Sequence, residues 1–254
     1  MKTNFILTLL TYLVLTSCST KKNILYVQDI DQTNPVELNF ETPTIQTGDI
    51  LKITVSTLDP SAAIPYNKAT ANVSSATNLE LMRLDGYEVS KDLKIQFPQL
   101  GTLLVKNLTT SKLANTITHR LESEGHLINP VVNVRLINAK FTILGEVANP
   151  GTYNFTETKL TLLQAIGMAG DLTINGQRKN IKLIREINQE RSINHIDLTV
   201  SDWMNSENYY IYPNDVIIID PNSPRIKSAG FVGNVGTVVT VVSVLLSSII
   251  LLTR

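Results

Sequence analysis

The sequence predicts an α+β protein, with two small mixed domains in series and one C-terminal transmembrane helix. Three observations carry that expectation. The middle of the chain runs twice through strand, helix and strand patterning. Pro, Gly and Asn punctuate those runs at turn spacings. The stretch from Ala229 to Leu252 holds no charged residue.

Composition bounds the class. The 254 residues are 43% hydrophobic and 17% charged, which suits ordinary cores and not disorder. Basic and acidic residues balance at 22 each, with no block of like charge. Nucleic acid is therefore not expected as a partner, because phosphate binding shows as a basic excess or patch.

The front end reads as a targeting segment. Lys2 precedes an apolar run from Phe5 to Leu15, the length of a signal-peptide core. Leu15-Thr16-Ser17-Cys18 resembles the bacterial lipobox, in which the Cys is lipidated and becomes the new N-terminus. Cys18 is the one cysteine in the chain. Residues 1–17 are thus expected to be a lipoprotein signal peptide, with an uncleaved anchor as the alternative. A chain starting at Cys18 keeps 21 basic and 22 acidic residues and has no free thiol for disulfide or thiolate chemistry. A multiply acylated Cys18 anchors firmly, since one fatty chain alone does not.

Residues 18–44 read as a tether, polar and broken by Pro35 and Pro43, with Ile24–Gln28 as a possible strand. The first domain is expected over 45–137. Ile50, Ile53 and Val55 follow the Thr47-Gly48-Asp49 turn as a strand. Residues 59–80, rich in Ala, Ser, Thr and Asn, read as a long loop. Tyr87 and Val89, then Leu93, Ile95 and Phe97, alternate as short strands around a turn at Ser90–Asp92, and Pro98 and Gly101 end the second. Leu113, Ile117 and Leu121 recur every four residues, which predicts a helix capped near Thr109–Ser111 and stopped at Gly125. Val131 to Ile137 is a strand.

The second domain is expected over 138–222. Phe141, Ile143 and Val147 have strand-like spacing, and Asn149-Pro150-Gly151 is a turn. Leu160, Leu163, Ile166 and Gly167 share a helical face that Gly170 closes. Residues 180–187, 193–200 and 215–220 are further strands. The apolar tail over 228–252 completes the plan. Twenty-four helical residues span about 36 Å, enough for a hydrocarbon core of about 30 Å.

Catalytic patterns are weak. His119, His126 and His195 lie far apart and fit no metal-ligand spacing. Asp197, Asp202 and Glu207 read better as solvated surface than as an acid–base pair. Gly230, Gly233 and Gly236 follow no Rossmann strand, so they form no nucleotide loop. Tyr209, Tyr210, Tyr212 and Trp203 suit packing at least as well as sugar stacking. No catalytic residue, metal or cofactor is expected beyond the lipid on Cys18.

Three stretches together carry a family resemblance. Residues 47–55, 86–105 and the helix and strand after them resemble the polysaccharide biosynthesis/export domain. Residues 143–155, 160–173 and 212–220 resemble the SLBB domain, a β-grasp-like module. In that order, behind a lipobox and ahead of an apolar tail, they resemble outer-membrane polysaccharide export proteins of the Wza type. Gly48 and Asp49 match the family's P-G-D turn, with Thr47 in the Pro place. Pro98 and Gly101 match its P-x-x-G stretch. Gly145, Val147, Pro150, Gly151 and Tyr153 match its G-x-V-x-x-P-G-x-Y run, and Pro213, Asn214 and Asp215 match the turn before the last strand. This chain is shorter than well-known members and shows a single SLBB unit.

The resemblance implies a non-enzymatic export component at the outer membrane with its body in the periplasm. It implies a homo-oligomeric ring, capsule or exopolysaccharide as cargo, and an inner-membrane polysaccharide co-polymerase, often with a tyrosine kinase, as partner. On a helical wheel Asn234, Thr237, Thr240, Ser243 and Ser247 share one half, which makes them the candidate pore-facing residues. The alternatives are a periplasmic glycan-binding or scaffolding lipoprotein with a simple tail anchor and, as a lesser one, an envelope enzyme.

Overall fold

The computed structural model describes residues 21–32, 35–36, 41–68 and 85–229, together with 236, 239–241, 243–244 and 247–248. Two hydrophobic cores form. One is built from Ile45 to Leu127 and the other from Ala139 to Ile219, and Leu136 packs against both.

In the first domain β1 (Ile50–Ser56) is the middle strand of an antiparallel sheet, between β2 (Tyr87–Glu88) and β5 (Val131–Leu136). Ile53 lies opposite Val134 and Val55 opposite Val132. The period of two buries Leu51, Ile53 and Val55 and turns Thr54 and Ser56 to solvent. Helix α1 (Thr110–Ser123) packs on β5 and buries Leu113, Ile117 and Leu121 completely. Thr109 caps it, its hydroxyl accepting the Lys112 N–H. Beyond it, Gly125 is left-handed, and the His126 and Leu127 amides both reach the Leu121 carbonyl.

The turn after β2 leads out of this sheet, with the Leu93 N–H bonded to the Ser90 carbonyl. It delivers the chain to a separate hairpin, β3 (Lys94–Phe97) and β4 (Gly101–Leu104). In residues 59–68, Asp59 caps one helical turn, Pro60–Ala63, and a 3-10 turn, Ile64–Tyr66, follows. Residues 69–84 lie outside the described set.

The second domain is a five-stranded sheet. Its strands are β6 (Lys140–Gly145), β7 (Gly151–Asn154), β9 (Gly176–Ile187), β10 (Glu190–Ile196) and β12 (Val216–Pro221), in the order β10-β9-β12-β6-β7. The β12–β6 pair is parallel and the other pairs are antiparallel. A small pair, β8 (Leu160–Thr161) and β11 (Tyr210–Ile211), sits beside helix α2 (Leu162–Met168). The helical face differs from the sequence expectation. Leu162, Ala165 and Ile166 are buried and Gly167 is exposed, while Leu160 belongs to β8. The reason is local: a Thr161–Gln164 capping box starts the helix at Leu162 and sets its phase.

Residues 21–32, expected as free tether, are seated on the second domain. The Val27 and Gln28 amides donate to the Leu198 and Thr199 carbonyls, each at 2.9 Å. The Tyr26 hydroxyl donates to Asp171 Oδ1, the Arg178 guanidinium lies 5.4 Å from the Tyr26 ring centre, and the Ser201 hydroxyl donates to Asp29 Oδ2. Burial and the Asp171 bond push the Tyr26 hydroxyl well above its ordinary pKa. Two backbone bonds do not make a strand, so the expected strand at 24–28 is a docked strap instead.

The expected transmembrane helix is corrected. Among the described residues no helix is long and apolar enough to cross a membrane. The last helix with a defined span, α3, is Ser223–Ala229, seven residues or about 10 Å of rise. Counting uncharged residues overlooks the three glycines that succeed Ala229 in the chain: Gly230, Gly233 and Gly236. Each costs a helix interior about 1 kcal/mol relative to Ala, a term that hydropathy does not contain. Of the expected pore-facing residues, Asn234 and Thr237 lie outside the described set. Thr240, Ser243 and Ser247 are helical and exposed. The Thr240 and Ser247 hydroxyls bond to the Gly236 and Ser243 carbonyls of their own helix. Cys18 also lies outside the described residues.

Candidate functional site

The motif turn of the first domain is built around Gly48, whose φ of +81° is left-handed and suits a residue without Cβ. Asp49 folds back so that its Oδ2 accepts the Gln46 N–H at 2.8 Å. Asn138, in the short link between the domains, clamps this turn. Its Nδ2 donates to the Gly48 carbonyl and its Oδ1 accepts the Ile50 N–H, both at 2.9 Å. Two further bonds cross between the domains: the Asn188 N–H donates to Gln46 Oε1 and the Tyr212 hydroxyl donates to the Glu41 carbonyl.

Between these contacts lies a cleft of about 360 Å³. Thr44, Gln46, Asp49 and Arg135 form its first-domain wall, and Glu157, Glu186, Tyr212 and Pro213 face them from the second domain. Asp49 is only 6% exposed, and this burial pushes its carboxyl up to about 6 against the downward pull of the Gln46 N–H. Glu186 pairs with Arg191.

The second wall is held by a buried ion pair. Arg185 donates through Nη2 to Asp215 Oδ2 at 2.8 Å and through Nε to Oδ1 at 3.1 Å. The same guanidinium donates to the Glu207 and Tyr210 carbonyls and lies 4.0 Å from the Tyr212 ring centre. Asp215 Oδ2 also accepts the Tyr212 N–H. One strand arginine therefore ties the whole 207–215 segment down and presents Tyr212 to the cleft. Burial raises the Asp215 carboxyl and the arginine pulls it back.

Among the expected motif residues, Asp49 and Pro213 line the cleft, with Tyr212 beside the Asp215 turn. Pro98 and Gly101 shape the β3–β4 turn, where Gly101 has φ +71°. Gly145 allows a close backbone approach: an added Cβ would lie 2.0 Å from the Ile219 carbonyl oxygen. Pro150 and Gly151 turn the chain into β7, and Tyr153 stacks on Phe141 with centroids 5.5 Å apart. These are packing roles.

Arg185 went unnoticed in the sequence because residues 180–187 read simply as strand. The signal was present. Ile181, Leu183 and Arg185 are buried in alternation along β9, so an arginine occupies the inward position that the period of two gives to apolar residues. A buried arginine requires a partner. His119 and His195 are exposed, and His126 sits beside Tyr66 in the first domain. Among the described residues no group of three His, Cys, Asp or Glu could hold a metal.

Residues 40–137 match the family model described as polysaccharide biosynthesis/export protein. Over those residues the chain is similar to this export family. Residues 140–193 match the SLBB domain, so the export domain and the SLBB domain are the two bodies that enclose the cleft. The EPS I polysaccharide export outer membrane proteins EpsA of Ralstonia solanacearum and of Ralstonia nicotianae are each 30% identical to this chain over 149 residues. That stretch covers 56% of this chain and 38% of each relative, so the chain spans less than half the length of these relatives.

Proposed function

We propose that this protein is the outer-membrane component of a machine exporting capsule or exopolysaccharide. It acts as a non-enzymatic conduit: it makes and breaks no glycosidic bond, and several copies form a closed periplasmic ring around the passing polymer. The lipid on Cys18 attaches it to the outer membrane. An inner-membrane polysaccharide co-polymerase, with its tyrosine kinase, delivers the cargo. The helical pore of the sequence expectation falls with the spanning helix.

The observation that carries this reading is the pairing of an export domain with an SLBB domain in one chain, joined by the two-residue link 138–139 and bonded to each other through Asn188 and Gln46. The names of the relatives, both export outer membrane proteins, support it.

The test is deletion of the gene in its native host, with complementation by wild type and by Cys18→Ser. Surface polysaccharide is quantified, and the mass of the purified acylated protein is read by analytical ultracentrifugation in detergent. Deletion should abolish surface polymer, wild type should restore it, and Cys18→Ser should leave the protein outside the membrane fraction. Normal surface polymer in the deletion strain would end the export reading, and a monomeric acylated protein would end the ring.

A further inference from the structure

We propose that the cleft between the export and SLBB domains is a binding site for a short run of non-acidic sugar, neutral or amine-bearing, with Asp49 as its anchoring acceptor. This rests on the export reading, which supplies glycan as the class of molecule that meets the protein.

The cleft's size comes first. About 360 Å³ lies within the range of small-ligand sites, which runs from about 300 to 1,000 Å³. The lining comes second. A sugar ring presents an apolar face and an edge of hydroxyls. The cleft answers with apolar surface from Ile45, Leu136, Phe155 and Ile211, and with polar groups of Thr42, Thr44, Thr110, Thr156 and Thr158.

The third observation is Asp49. It is buried to 6% exposure and borders the cleft. Its Oδ2 accepts the Gln46 N–H, and an ionised carboxylate has lone pairs for further donors. A desolvated carboxylate with spare acceptor capacity is costly until a donor reaches it. A hydroxyl or ammonium of a bound sugar supplies that donor, and bonds to an ionised acceptor are about twice as strong as neutral ones.

Charge sets the selectivity. Asp49 and Glu157 border the cleft with Glu186, which already holds Arg191, and among the described residues Arg135 is the one basic residue lining it. The cleft is therefore acidic. A uronate, sulfate or phosphate on the sugar would meet like charge, whereas an amino group would be drawn in.

The test uses the full acylated chain in detergent micelles and three probes: the N-acetylglucosamine tetramer, the glucosamine tetramer and the galacturonate tetramer. Affinity is read by calorimetry at physiological salt and the site by hydrogen-exchange mass spectrometry. The first two probes should bind saturably and protect 42–49 and 210–213, and the galacturonate tetramer should not bind. Asp49→Asn should weaken both binders at least tenfold. Glu157→Gln, a change at an exposed side chain, should weaken the glucosamine tetramer more than its acetylated counterpart, with the Trp203 unfolding midpoint unchanged. No binding at millimolar probe, protection confined to other segments, or tightest binding of the galacturonate tetramer would each overturn the proposal. If deletion of the gene still abolishes surface polymer in that event, export stands and the cleft site alone falls.

Discussion

Gly145 offers a sharp quantitative test of how the SLBB domain is packed. It ends β6 with φ +93°, and the Ile219 carbonyl of the parallel neighbour β12 sits directly over it. That carbonyl accepts the Glu146 N–H at 3.0 Å. A Cβ on residue 145 would lie 2.0 Å from the Ile219 oxygen and 2.9 Å from its carbon. Real Cβ contacts do not fall below 3.0 Å, so Gly145→Ala must push the strands apart by roughly an ångström. Left-handed strain costs about 1–2 kcal/mol. The lost buried backbone bond adds about 1–3 kcal/mol, and displacement of a close-packed strand about as much again. The total is about 3–8 kcal/mol, well above the ordinary substitution.

Two substitutions in the same domain serve as controls. Gly170 is also left-handed, at φ +78°, but its near neighbours are side-chain atoms of Asn149 and Ala148. Asn149 can turn aside, so Gly170→Ala should cost about 1–2 kcal/mol. Gly151 has ordinary backbone, and its nearest outside atom is Tyr153 Cε2 at 4.0 Å, so Gly151→Ala should stay within about 0.5 kcal/mol. All three are read by urea unfolding followed through Trp203, the one tryptophan in the chain and a buried member of the SLBB core. A Gly145→Ala cost within about 1 kcal/mol of Gly170→Ala would refute the argument from backbone approach.

The remaining predictions concern buried charge. Arg185→Met strands Asp215, which is 1% exposed, and should cost about 3–5 kcal/mol in the Trp203 assay. Adding Asp215→Leu should recover part of that loss, and a single-mutant cost below about 1 kcal/mol would show that the pair holds nothing. Asp49 has its carboxyl raised by burial from 3.8 to about 6, so its ionisation opposes folding. Its contribution to stability is therefore fully present below about pH 4, declines as pH rises toward 6 and is lost above it, a change of about 3 kcal/mol. The stability of Asp49→Asn relative to wild type, from urea melts by circular dichroism, should accordingly grow between pH 4 and pH 7. A difference that stays flat over that interval would contradict the burial argument.

The legible parts of this chain were those governed by near neighbours. The spacing of Leu113, Ile117 and Leu121 announces α1 because a helix repeats nearly every four residues, and all three are buried. Gly48, Gly101 and Gly145 announce backbone that other residues adopt only at a cost, and all three have positive φ. The tail shows the limit of such counting. Its lack of charge satisfies a transfer criterion, but a spanning segment must also be a sustained helix, and none is found among the described residues.

The candidate site itself was not legible, because its parts are far apart in the chain. Asp49 and Tyr212 are separated by 163 positions and border one cleft because Asn138 clamps the first-domain turn at the link between the domains. Arg185 finds Asp215 only because β9 and β12 are neighbours in the sheet. The strap residue Tyr26 finds Asp171 in the same long-range way. By itself, then, the sequence determined the local elements, their turns and the family resemblance they carry. The cleft, the buried ion pair and the docked strap were decided by tertiary structure. Burying a charge or a backbone amide costs free energy until a partner meets it, and the fold alone selects which distant residue that partner is.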